Sequence, residues 1–241
     1  VNALQLRQVR DVGALFRDAL AVFMRHAWLF ILLSAAVVVP TELVVEGVGL
    51  DMLTSRYDSS PSLAEAAVPT IVDFLVVTPI IAAICIYALH QIAEGERPSA
   101  GAVFVAGFEA FTPLFAAVLL AALGIALGFV ALILPGVYLA VRWYFVPQAV
   151  VIDGARGPGA LARSGELVRG LWWRTFGLIL LANIAIAIPG FILLTPFTAI
   201  AESTDRAVWS LVGSAVTTSI TTPFVALYST FLYYDLRARR T

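Results

Sequence analysis

The chain has 241 residues, 61% of them hydrophobic and only 13% charged, with a net charge of -1. Soluble domains average roughly 45 to 50% apolar and about 25% charged, so this balance excludes a soluble globular protein and points to a polytopic helical membrane protein. The near-neutral charge gives no footing for a nucleic-acid partner, and the information lies in how the charges are distributed.

In chain order, residues 9–24 place Val9, Val12, Leu15, Phe16, Ala19, Leu20 and Phe23 on one stripe, with Arg10, Asp11, Arg17 and Asp18 opposite. The spacing predicts an amphipathic helix at the membrane interface. No apolar segment with a small-residue cleavage site occurs in the first 25 residues, so no signal peptide is expected. Apolar runs then predict an all-α architecture with spans at about 27–45, 67–89, 111–134, 136–152, 175–200 and 207–234. Between the first two lies a loop over 46–66, with Glu46, Asp51, Asp58 and Glu65 against Arg56, and Ser59-Ser60-Pro61 as a turn signal. Spans three and four are expected to meet at Pro135-Gly136, a tight-turn pair. A second interfacial helix is expected over 158–171, with Leu161, Val168, Leu171 and Trp172 opposite Arg163, Glu166 and Arg169.

All 15 basic residues are arginine, which suggests a GC-rich bacterial genome. Six spans put Arg7, Arg10, Arg17, Arg25, Arg97, Arg156, Arg163, Arg169, Arg174, Arg237, Arg239 and Arg240 on one side and only Arg56 and Arg206 on the other. By the positive-inside rule, both termini are expected in the cytoplasm and the chain in the plasma membrane. Gly13-Ala14-Leu15, Gly101-Ala102-Val103 and Gly159-Ala160-Leu161 each precede a pair of spans. Prolines recur in those spans at Pro40, Pro135 and Pro189, and at Pro79, Pro147 and Pro223. One reading is three helix-plus-hairpin repeats; the other is the ordinary frequency of these residues in membrane helices.

No metal or enzyme signature emerges. His26 and His90 border spans, Cys85 sits in an apolar run, and no acidic pair flanks a histidine, so neither catalytic residue nor cofactor is expected. The glycine-rich Asp153–Gly159 segment precedes a helix and offers either a phosphate cradle or a plain turn, the turn being the simpler reading. Arg156, Arg163, Arg169 and Arg174 form a basic surface suited to anionic lipid headgroups.

Glu42, Asp73 and Arg142 fall inside spans, where ionisable groups are costly and usually paired. At 1.5 Å per residue their depths from the inner border are about 21, 25 and 16 Å, so an intramembrane ion pair is expected, Glu42 being the preferred partner of Arg142.

The stretch LPGVYLAVRWYFVPQAVVIDGARGPGALARSGELVRGLWWRTFG, Leu134 to Gly177, and the later Tyr233-Tyr234-Asp235-Leu236-Arg237 resemble the glycerophosphoryl diester phosphodiesterase membrane-domain family. The resemblance implies six spans in a stand-alone membrane module. The soluble catalytic domain that names the family has no counterpart in these residues, so its activity is not carried over. The expected role is therefore a non-enzymatic inner-membrane protein that binds or organises lipids or partner membrane proteins. The alternative is a small permease with its site near Glu42, Asp73 and Arg142.

Overall fold

The structure, a computed structural model, describes residues 6, 8–45, 56–57 and 62–240. All regular structure among these residues is helical. A short helix α1 (Val12–Arg25) leads into α2 (Ala27–Val45), and the return is made by α3 (Leu63–Val72), a π-turn (Asp73–Val77) and α4 (Thr78–Ala93). Next come α5 (Ala100–Glu109), α6 (Phe111–Ala131), α7 (Ile133–Arg142) and α8 (Val146–Asp153). The last three helices are α9 (Pro158–Val168), α10 (Trp172–Thr204) and α11 (Ala207–Ala238).

Among the described residues, five helical segments are long and apolar enough to cross a membrane: Ala27–Val45, Ala67–Ala93, Phe111–Ala131, Trp172–Thr204 and Ala207–Ala238. The loop acids Glu46, Asp51 and Asp58, like Arg7, lie outside the described residues. Arg56 approaches Asp205 at 3.5 Å, which brings the end of that loop beside the α10–α11 turn.

The expected fourth span is not one helix. The chain turns at Leu132, whose backbone is extended, and Pro135-Gly136 fall inside the first turns of α7 instead of forming the turn. Proline is well placed there because the first-turn N–H groups have no intrahelical acceptor. Gly136 serves helix contact: a Cβ on Gly128 would come within 3.0 Å of the Gly136 Cα, so the two glycines let α6 and α7 approach closely. The helix then breaks at Trp143–Phe145, before Pro147 in the first turn of α8. Ser164 of α9 stitches this break, its Oγ donating to the Arg142 carbonyl at 2.8 Å and accepting from the Phe145 N–H at 3.2 Å. The π-turn before Thr78-Pro79 has a similar origin: Pro79 offers no N–H, and the Thr78 N–H reaches back five residues to the Asp73 carbonyl.

α11 is the hub, packing against α1, α2, α4 and α10. Its residues from Phe224 to Leu236 are almost all buried, with Leu227, Tyr228, Phe231, Leu232 and Tyr233 fully so. The apolar stripe of α1 is partly spent on this hub: Leu15 and Ala19 are fully buried, and Phe16 meets Tyr228 with ring centroids 4.6 Å apart. Val9, Val12 and Leu20 of the same stripe remain exposed. The helix expected over 158–171 ends at Val168, because Gly170 takes a positive φ of 76° that starts a turn into α10.

α5 is held to α4 by close packing. A Cβ on Gly107 would meet the Ile84 Cγ1 at 2.4 Å, whereas one on Gly101 of the same helix meets nothing within 4 Å. Gly107→Ala is expected to destabilise the protein by about 1 to 3 kcal/mol through overpacking against a buried side chain. Gly101→Ala is expected to be neutral or stabilising by about 0.4 to 1 kcal/mol. Unfolding both variants in mixed micelles, followed by circular dichroism, checks the contrast.

Candidate functional site

The end of the bundle where the segment before α1 meets the last turns of α11 holds a network of arginines around two acids. Asp235, on α11, is fully buried. It accepts from the Arg10 backbone N–H at 2.7 Å, from Arg174 at 2.7 Å and from Arg239 at 3.0 Å. Arg174 and Arg239 also donate to the Arg10 carbonyl, at 3.1 and 2.9 Å, and the Arg10 side chain pairs with Asp18 at 2.8 Å while lying over the Phe231 ring. Asp153, closing α8, takes Arg163 at 2.5 Å, Arg237 at 2.7 Å and the Tyr233 hydroxyl at 2.6 Å. Burial works against ionisation of Asp153, yet the hydrogen bonds from Tyr233 and Arg163 and the charges of Arg237 and Arg163 outweigh it and hold the carboxyl below its ordinary range.

Sequence reasoning picked Arg163 and Arg174 as headgroup contacts, and the structure gives both of them to carboxylates. Arg156 and Arg169 are exposed, and among the described residues neither is paired with an acid. The Asp153–Gly159 segment is a turn, with Gly154 and Gly157 at positive φ of 67° and 48°. Asp153 and Asp235 were missed as organising residues, although both fall inside the two segments quoted for the family resemblance.

The expected ion pair between Arg142 and an intramembrane acid does not form. Arg142 is exposed, its guanidinium donates to the Tyr138 hydroxyl at 3.2 Å, and its Nε lies against Gly165 of α9. Glu42 instead accepts from Ser214 at 2.8 Å and shares with Asp73 a separate cleft of about 250 Å³, lined also by Thr41, Thr70 and Thr218. Ser214 precedes Asp235 by 21 residues on α11, about 30 Å of helix, so the acids lie toward the far end of the bundle. The depth arithmetic failed because it assumed one straight helix through Trp143–Phe145 and left α9 at the border. In fact α9 reaches back to Arg142 through Ser164.

A larger cleft of about 530 Å³ opens between α7, α9 and the start of α10, with Tyr138, Arg142, Gly165, Glu166, Arg169 and Trp172 on its walls. The Trp172 indole N–H donates to the Tyr138 carbonyl at 3.3 Å, and the two rings stack with centroids 6.0 Å apart. Gly170 at positive φ turns the chain so that Arg169 sits at the lip. Among the described residues no three His, Cys, Asp or Glu side chains gather at metal-binding spacing.

Asp235→Asn strands Arg174 and Arg239 beside a buried amide. A loss of about 3 kcal/mol is expected, the low end of the range for a broken buried pair because both arginines are about a quarter exposed. Adding Arg174→Gln should recover part of it, as read by denaturation in micelles. For Asp153 the folded pKa lies below the unfolded one. Its contribution is fully present above the ordinary carboxylate value and is lost as pH falls through the lowered one, so this group predicts level stability between about pH 7 and about pH 5.

No curated protein and no solved structure matches the chain. A family model described as "Domain of unknown function (DUF7847)" matches residues 88–236, from the last turns of α4 to Leu236 and more than half of the chain. The match takes in both organising acids, Asp153 and Asp235, and every residue named at the larger cleft. On that coverage the chain belongs to the DUF7847 family.

Proposed function

We propose that this is a non-enzymatic, multi-pass protein of the bacterial plasma membrane that binds or organises anionic lipids, or partner membrane proteins, through its arginine-rich end. The observation that carries the reading is the division of the arginines. Arg163, Arg174, Arg237 and Arg239 are neutralised by Asp153 and Asp235, while Arg142, Arg156 and Arg169 stay exposed around α9 with no acid partner among the described residues. Arg142 and Arg169 share a cleft with Trp172, and the adjacent Trp173 is 78% exposed, an arrangement that suits the boundary where headgroups meet hydrocarbon.

The proposed topology has six crossings and cytoplasmic termini. Five crossings are the long helices, and α7 with α8 makes the sixth as a broken return. The order of one short helix followed by an outward and a return segment, seen at α1, α5 and α9, supports three related units. The likeness to the glycerophosphoryl diester phosphodiesterase membrane domains enters this proposal as architecture alone.

A small permease is the second reading, favoured by the hydroxyl-lined cleft shared by Glu42 and Asp73. It requires substrate flux in proteoliposomes that Glu42→Gln abolishes; the lipid-binding reading expects none.

Reporter fusions after Arg240 and within residues 94–99 should read cytoplasmic, and fusions at Arg56 external. Lipid mass spectrometry of the protein in native nanodiscs should show anionic lipids enriched over the bulk membrane. Arg156→Gln with Arg169→Gln should reduce that enrichment, at about 1 kcal/mol per basic residue. Enrichment equal to bulk in the unmodified protein would dismiss the reading.

A further inference from the structure

The cleft between α7, α9 and α10 is a defined pocket and not simply part of a basic surface. Its volume of about 530 Å³ falls within the range of small-ligand sites, roughly 300 to 1,000 Å³. Arg142 and Arg169 face it from two different elements, one ending α7 and the other in the α9–α10 turn. The single carboxylate among its lining residues, Glu166, is exposed to solvent and lies 3.8 Å from Arg163, a guanidinium already taken at closer range by Asp153.

Arg142 is held in place from two sides. Its guanidinium carbon lies 5.9 Å from the Tyr138 ring centroid and one of its nitrogens donates to the Tyr138 hydroxyl. On the other side Gly165 leaves room, since a Cβ there would come within 2.7 Å of Nε. The bare glycine lets the Arg142 side chain lie against the α9 backbone at the wall of the cleft. Guanidinium donors in fixed positions are the preferred partners of phosphate oxygens.

The geometry points to a phosphate-binding pocket in which Arg142 and Arg169 hold the phosphodiester or phosphomonoester of an anionic lipid, with Trp172 and Tyr138 as its aromatic wall. This inference rests on the lipid-binding reading and narrows it to one site. Arg142, expected to balance an acid inside the membrane, is here the principal ligand of the headgroup. The lipid form of the phosphate is favoured because the pocket opens beside Trp172 and the exposed Trp173, an arrangement typical of the membrane–water interface.

The test is titration of the full-length protein in detergent with phosphatidylglycerol, phosphatidylcholine or inorganic phosphate, read by native mass spectrometry. One tightly held phosphatidylglycerol adduct is expected, weakened about tenfold in Arg142→Gln and in Arg169→Gln, with phosphatidylcholine held less well. Gly165→Ala should weaken it too: the added methyl displaces only a flexible arginine side chain, so the fold is retained. Arg206→Gln, at the α10–α11 turn, should leave this adduct unchanged. Saturable binding of inorganic phosphate, lost in the same variants, would support the pocket and assign it to a free phosphate ligand. Equal retention of the two lipids, or an adduct unaffected in both Arg142→Gln and Arg169→Gln, would overturn the site. If that result coincides with anionic enrichment in native nanodiscs, only the pocket falls. Absence of enrichment as well would remove the broader reading with it.

Discussion

A carboxylate taken fully out of solvent organises this molecule. Asp235 is tolerable in the core only because a backbone N–H and two guanidinium groups surround it, and these come from segments far apart in sequence: Arg10 before α1, Arg174 in the first turn of α10, and Arg239 after α11. Satisfying one oxygen pair therefore fixes two distant chain segments, the stretch before α1 and the start of α10, relative to the hub helix, whose own C-cap supplies Arg239. Asp153 does the same for α8, α9 and the last turns of α11, through Arg163, Arg237 and Tyr233. The two acids make a polar plate at one end of an otherwise apolar bundle, where Coulomb attraction and hydrogen bonding replace the apolar packing found along the rest of α11.

That plate divides the arginines into two populations, and counting residues cannot separate them. Arginines that meet an acid are part of the fold and have little charge left for a ligand. Those outside its reach, Arg142, Arg156 and Arg169, keep their donors available. In sequence all of them except Arg142, which falls inside a span, contribute equally to the asymmetry of twelve against two. The distinction depends on where Asp153 and Asp235 come to rest after folding.

The helical class and the positions of the long apolar helices were legible because hydrocarbon-length apolar runs leave few alternatives. Shorter features depended on tertiary partners. Pro135-Gly136 reads as a turn in isolation, yet proline is equally at home in a first helical turn and Gly136 is needed for contact with Gly128. The break at Trp143–Phe145 carries no strong sequence mark, since the polar group that satisfies its freed backbone is Ser164, some twenty residues onward. The depth of Arg142 was misread for the same reason. Glu42 and Asp73 line one cleft because α2 and the α3–α4 return are neighbours in sequence and lie side by side, and the partner of Glu42 there, Ser214, comes from the distant α11.

The placement of the hub helix at the end of the described chain bears on the order of assembly. α2 and α4 bury much of their inward faces against α11, and the segment before α1 is anchored by Asp235 and Arg239. During synthesis the first hairpin waits in the bilayer, its inner face and the segment around Arg10 unmatched, until α5 to α10 have been made and α11 follows. Closure is thus a late, nearly all-or-none event with high sequence separation, a topology that slows assembly. A chain interrupted before α11 would retain membrane-length helices but lack the element that gathers them, and it would present unburied polar backbone and small-residue faces to quality-control proteases.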